Sequence, residues 1–165
     1  MPPLFDITVD ASGPIRLCEE LASGARLEPI KLAVGRAALR VQADVRASLQ
    51  AMVYDLPEGR YKRTGTLMRT SHAAKPGIDH SGDEAAGLAG KDFLATDPLK
   101  VVGGALPEGF ASEIGNWIHY AVFVHEGTVR MASRPFLAGP AAVARAYFEE
   151  ELARAVRDIT VAAQK

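Results

Sequence analysis

From Glu28 to Tyr54 the apolar residues Ile30, Val34, Ala37, Val41, Val45, Leu49 and Met52 recur three or four positions apart, while Arg36, Arg40, Asp44 and Arg46 fall off that stripe. A period near 3.6 predicts a long helix over 28–54 that buries one face, and Pro57-Glu58-Gly59 supplies its stop. A second stripe of Val143, Ala144, Tyr147, Phe148, Leu152, Ala155, Val156 and Ile159 predicts a C-terminal helix over 140–162. Near the start the period is two. Phe5, Ile7 and Val9 alternate with Asp6, Thr8 and Asp10, the pattern of a half-buried strand or an extended arm. The prolines ahead of it favour an N-terminal arm over 1–13. Ser12-Gly13-Pro14 then begins and Gly24 ends a short helix near 14–22 that carries Leu17, Cys18 and Leu21.

Between the two long helices the pattern changes. Residues 73–98 hold Lys75-Pro76-Gly77, Ser81-Gly82-Asp83, Gly87 and Gly90 with few large apolar side chains, which predicts an extended central loop. Lys75 and Lys91 stand there against Asp79, Asp83, Glu84 and Asp92, so the stretch is mildly acidic. Loops of this length are either functional or disordered in the isolated protein, and ordering on assembly is expected. Leu99–Gly103 and Phe110–Ile118 read as strands of a hairpin or meander, separated by Gly103-Gly104 and Pro107-Glu108-Gly109 turn chemistry. Trp117–Val124 is nearly all apolar, and periodicity alone leaves strand and buried helical turn both open. Helix, strands and helix in that order predict one α+β domain over 1–165, two long amphipathic helices packed on a small antiparallel sheet.

Composition narrows the function classes. With 165 residues, 48% hydrophobic and 24% charged, the chain is long and apolar enough to fold around a core. Lys+Arg number 19 against 20 Asp+Glu, so the chain lacks the field that grips phosphate backbones, and a DNA-binding regulator is disfavoured. Cys18 has no second cysteine for an internal disulfide and reads as core filler. No basic stretch followed by an apolar run opens the sequence, and no run of about 18 apolar residues occurs, so synthesis in the cytoplasm and no membrane contact are expected.

A search for catalytic chemistry finds little. His72, His80, His119 and His125 offer no i, i+4 pair on a helix, and His125-Glu126 lacks the second histidine of a zinc-protease motif. Ser71-His72 and Asp79-His80 supply triad residue types beside or inside a loop, without the rigid support that a catalytic constellation needs. Gly87-Leu88-Ala89-Gly90 has neither the Lys nor the Ser/Thr of a phosphate loop. No catalytic residue, cofactor or metal is expected. Arg60, Lys62, Arg63 and Arg69 cluster around Tyr61, as a solvated turn, a subunit contact or a small DNA patch would.

Two segments carry a resemblance. The first is Arg63-Thr64-Gly65-Thr66-Leu67, with Arg69 and Ser71 behind it. The second runs through Tyr120-Ala121, Val124, Gly127-Thr128, Met131, Arg134-Pro135-Phe136-Leu137 and Pro140-Ala141. In this order, with a long helix before the first and another after the second, they resemble the neck or tail-completion proteins of long-tailed bacteriophages. His125 stands where that family often has Glu, and Gly139 is an extra residue. The resemblance implies a structural virion protein of the head-to-tail joining region and not an enzyme. It further implies a homo-oligomeric ring, a hexamer, around the DNA conduit between portal and tail tube. A head-closure or adaptor protein would lie on its head side, a tail terminator or tail tube protein on its tail side, and double-stranded DNA would pass without tight binding. The nearest rival is the tail terminator of the same region. A small hydrolase or nuclease is a distant one that needs a converging acid, base and metal set. Read without the family, the Gly and Pro residues are corners: Thr64-Gly65 releases the chain into the first strand, Gly127 reverses it, and Arg134-Pro135 sets up Phe136 as a buried plug.

Overall fold

The computed structural model describes residues 5–16, 28–56, 65–74, 94–105 and 110–163. Strand β1 (Phe5–Val9) is followed by a helical turn at 12–16, then by helix α1 (Glu28–Leu49), whose end widens into a π-helical turn at Gln50–Tyr54. Next come a one-turn helix α2 (Thr66–Arg69), β2 (Ser71–Ala74), β3 (Leu94–Ala105), β4 (Phe110–Ile118), a short helix α3 (Ala121–Glu126) and the long α4 (Ala138–Ala163).

The architecture is α+β, two long helices on a four-stranded sheet of order β1-β3-β4-β2. The sheet is mixed, which corrects the antiparallel expectation. β3–β4 and β4–β2 are antiparallel, but β1 runs parallel to β3, with Phe5 opposite Val101 and Val9 opposite Ala105. Phe5–Val9 is therefore an edge strand and not an arm. Its period-two pattern fits that role, since Ile7 and Val9 pack against the core while Thr8 is exposed. A parallel neighbour needs a long crossover, and the chain between Val9 and Leu94 contains all of α1.

Both helices lie over the sheet, α1 on β4 and β2, α4 on β1 and β3, and they pack side by side. The α1 stripe buries as its period demands, with Ile30, Val34, Ala37, Val41, Val45 and Leu49 inside; Met52, in the π-helical turn, is 38% exposed instead. The wide turn closes on an Asp55 N–H to Gln50 carbonyl bond of 2.8 Å, and a π-turn shifts the side chains that follow it off the 3.6 register. On α4, Ala144, Phe148, Leu152, Ala155 and Ile159 are buried, but Val143 is 42% exposed. The helix also starts two residues earlier than its stripe suggests, at Ala138. Pro140 costs nothing there, because the first N–H groups of a helix have no internal acceptor.

The polar residues off the α1 stripe tie the two helices together. Arg36 Nε donates to Glu151 at 2.9 Å, Arg40 to Glu150 at 2.7 Å, and the Tyr147 hydroxyl to Asp44 at 2.9 Å. Arg40 also lies 4.1 Å from the centre of the Tyr147 ring. Glu151 is nearly buried and takes a second bond from Arg154 at 3.2 Å, so its charge is matched, as a buried carboxylate requires. The Arg40 guanidinium holds the Glu150 carboxyl below its ordinary range.

The stretch 73–98, expected as a loop, is not loop throughout. Its ends are strand, since β2 reaches Ala74 and β3 begins at Leu94. Residues 75–93, with His80, lie outside the described residues, as do 17–27 with Cys18 and 57–64 with Pro57. The pairing of β3 with β4 jumps from Leu94↔Ile118 to Leu99↔Asn116, and the extra residues contain Pro98, which has no N–H for the ladder. Gly103 and Gly104 do not turn the chain; they sit inside β3. A Cβ on Gly103 would come within 2.4 Å of the Phe148 ring, so this glycine lets α4 press an aromatic ring against the sheet.

Candidate functional site

The two motif segments meet at one corner of the sheet. Gly65 adopts φ 75, ψ 1, a left-handed conformation that glycine takes without strain. It leads into a helical turn and not directly into a strand; Thr64-Gly65 was expected to start β2, which begins only at Ser71. The reason is local. Arg69 and Thr70 N–H bond back to the Gly65 and Thr66 carbonyls at 3.1 and 2.9 Å, and the Thr70 and Ser71 hydroxyls bond to the Thr66 and Leu67 carbonyls at 2.8 and 2.9 Å. Hydroxyls that reach back four residues fit a helical turn better than a strand. Leu67 is buried, and Arg63 and Thr64 lie outside the described residues.

Asn116 of β4 closes this corner. It is fully buried; its amide nitrogen donates to the Leu67 carbonyl at 2.7 Å and to Ser71 Oγ at 2.8 Å, and its amide oxygen accepts from Ile118 N–H at 3.1 Å. A fully bonded buried amide fixes one arrangement of the backbones around it. Tyr120 of the second segment reaches Thr66 of the first by a side-chain hydrogen bond, and burial of its ring raises the phenol pKa. Sequence reasoning missed Asn116. The signal was present as a polar residue in the otherwise apolar end of a strand.

Tyr120 is also where the apolar run from Trp117 divides. β4 ends at Ile118, and α3 follows with Ala121 buried and Val124 packed against the core. His125 is buried, with Nδ1 2.8 Å from Glu126 Oε1 and its ring edge-on to Phe136 at 5.3 Å between centroids. Its Nε2 is buried with no hydrogen bond among the described residues. Gly127 has φ 82 and ψ 178, and a Cβ there would stand 2.7 Å from the Ser133 nitrogen; only glycine fits both the angle and the space.

Thr128 and Met131 then bond reciprocally, N–H to carbonyl at 2.8 and 3.1 Å, and close a tight turn with Val129 and Arg130 at its tip. The base of this turn is held by Arg134 N–H on the Val124 and His125 carbonyls, both at 3.1 Å, and by Ser133 Oγ on the His125 carbonyl at 2.7 Å. Beyond it Phe136 N–H bonds to the Arg134 carbonyl at 2.7 Å around Pro135. Phe136 and Leu137 are fully buried, and Pro140 and Ala141 are buried in the first turn of α4.

The remaining candidates scatter. His72 stacks on Trp117 at 4.4 Å between centroids, and His119 meets Tyr120 edge-on at 5.7 Å. Among the described residues no group of three or more His, Cys, Asp or Glu is placed to hold a metal ion. Of the basic cluster only Arg69 is described, and it is exposed. An open groove of about 330 Å³ lies at the far side of the molecule from β2, where β1, α1 and α4 meet; Val9, Ala11, Ile30, Leu152 and Val156 line it, and Asp10 and Glu149 are its acids. No helix among the described residues is long and apolar enough to cross a membrane. No known family model, characterised protein or solved structure matches the chain.

Proposed function

We propose that this chain is a structural subunit of the head-to-tail joining region of a long-tailed bacteriophage, forming a closed homo-ring around the DNA conduit. The observation that carries this reading is the meeting of the two motif segments. Residues that resemble the neck and tail-completion proteins, far apart in sequence, converge on one corner through Tyr120 and Thr66. Their glycines Gly65 and Gly127 are the two that take positive φ among the described glycines. A motif with such backbone demands fits a scaffold, and the hydroxyls and amides of the corner are taken up in bonds to one another, as a structural part requires.

The charge balance supports a conduit. Each phosphate gripped by Lys or Arg adds salt-sensitive affinity, and a chain of net charge -1 lets DNA slide past. Zn²⁺ and nuclease activity are both expected to be absent from the pure protein. The test of the function is an image reconstruction of the intact particle. The chain is expected as a ring between portal and tail tube; finding it in the shell, in a fibre tip or nowhere in the particle overturns the reading.

A further inference from the structure

Val129 and Arg130 project from a turn that has little freedom to move. Two reciprocal backbone bonds close it, Thr128 Oγ1 accepts the Arg130 N–H at 3.2 Å, and Gly127 and Ser133 pin its base to α3. Val129 is 107% exposed, and the Arg130 guanidinium makes no ion pair among the described residues. A fully exposed valine at the tip of a rigid turn buries no apolar surface in its own fold and leaves that surface open to a partner. The groove between β1, α1 and α4 has the complementary character. Its walls are apolar, its volume of about 330 Å³ is room for roughly ten waters, and among the described residues each of its acids is bonded through one carboxylate oxygen. Asp10 uses Oδ1 on Ser12, and Glu149 uses Oε1 on Arg145.

We propose that the Val129–Arg130 tip of one copy of this chain docks in the groove of the next, Val129 against the apolar walls and Arg130 on Asp10 and Glu149. Charge complementarity selects the occupant: an apolar knob beside one cation meets an apolar slot with two carboxylates. The tip does not fill the groove of its own chain, because Val129 is wholly exposed and the turn is pinned. Leu152 lies about 20 Å along α4 from the residue where that helix begins, at 1.5 Å per residue. Each copy thus offers one knob and one slot on different surfaces, a head-to-tail contact that closes into a ring when the rotation between neighbours divides the circle. The contact rests on the ring reading and names the surfaces that make it.

The test uses full-length chains in which Cys18→Ser removes the native thiol. One carries Val129→Cys, a second carries Ala153→Cys at an exposed position of the groove, and a control carries Ala47→Cys on the exposed back of α1. Under mild oxidation of concentrated mixtures, the Val129→Cys and Ala153→Cys chains are expected to join at least tenfold faster than the Val129→Cys and Ala47→Cys chains. Arg130→Glu on the first chain should remove that advantage, and Glu149→Arg on the second should restore it. Chains with both cysteines should give a ladder that stops at a closed ring. Equal rates with groove and control, or no response to the charge exchange, overturn the contact. Position in the particle is read separately: a ring in the joining region with unselective cross-linking sinks the contact alone, and selective cross-linking with no chain in that region sinks the functional reading alone.

Discussion

The Asn116 corner and the Val129 turn are separated by little sequence, and they treat their groups in opposite ways. Around Asn116 every polar partner faces inward, and Leu67, Ser71 and Ile118 are bonded to one amide. At Val129 an apolar side chain faces water on a backbone held as firmly as the corner itself. Rigidity without burial is what a docking element needs, since little ordering entropy remains to be lost on contact. Rigidity with burial serves the fold. The corner thus stabilises the chain, and the turn has the rigidity that the proposed docking would use.

Substitutions can break or sharpen that division. The largest effect is expected at Phe136, on the inward side: Phe136→Ala should lower stability by about 3 to 5 kcal/mol, read as a shift in the urea midpoint. An unchanged midpoint would mean that the ring is not the plug its zero exposure indicates. Asn116→Ala comes next, at about 1 to 3 kcal/mol, because it takes the amide acceptor from the buried Ile118 N–H; Asn116→Asp at neutral pH should be no milder. Gly127→Ala joins the two regions. It forces a Cβ to within 2.7 Å of Ser133 N and a non-glycine residue to positive φ, for about 1 to 3 kcal/mol, and it should also slow the cross-linking of the tip. Val129→Ser closes the series, expected within about 0.5 kcal/mol of the parent in thermal melts while weakening association between copies. A melting loss like that of Phe136→Ala would erase the distinction between the regions.

An acid limb tests the polar seam between the helices. Glu150 is held below its usual range by Arg40, and Asp10 by its hydrogen bonds to Ser12. A carboxyl whose pKa is depressed on folding contributes stability that is full above its unfolded pKa and is lost as pH falls through the folded one. Stability should accordingly decline below about pH 4, near the ordinary carboxylate range. Glu150→Gln should flatten part of that decline, measured as melting temperature against pH.

Periodicity alone was enough for the two long helices, their inward faces and the α+β class, because a 3.6 repeat of apolar residues has one burial solution. For Phe5–Val9 a period of two left strand and arm both open, and the prolines ahead of it pointed to the arm that the sheet corrects; Phe110–Ile118 and the glycine corners at Gly65 and Gly127 were legible from local propensity and not from periodicity. Periodicity could not say that Phe5–Val9 joins β3 in parallel, because the partner is almost the whole fold away in sequence. Gly103 looked like turn chemistry until Phe148 lay across it, and Asn116 looked incidental until Leu67 and Ser71 reached it from another element. The seam from Arg36 to Glu151 was invisible for the same reason. Which side chains meet across elements is decided only when the helices settle on the sheet, and the division between the buried corner and the exposed Val129 tip is decided there too.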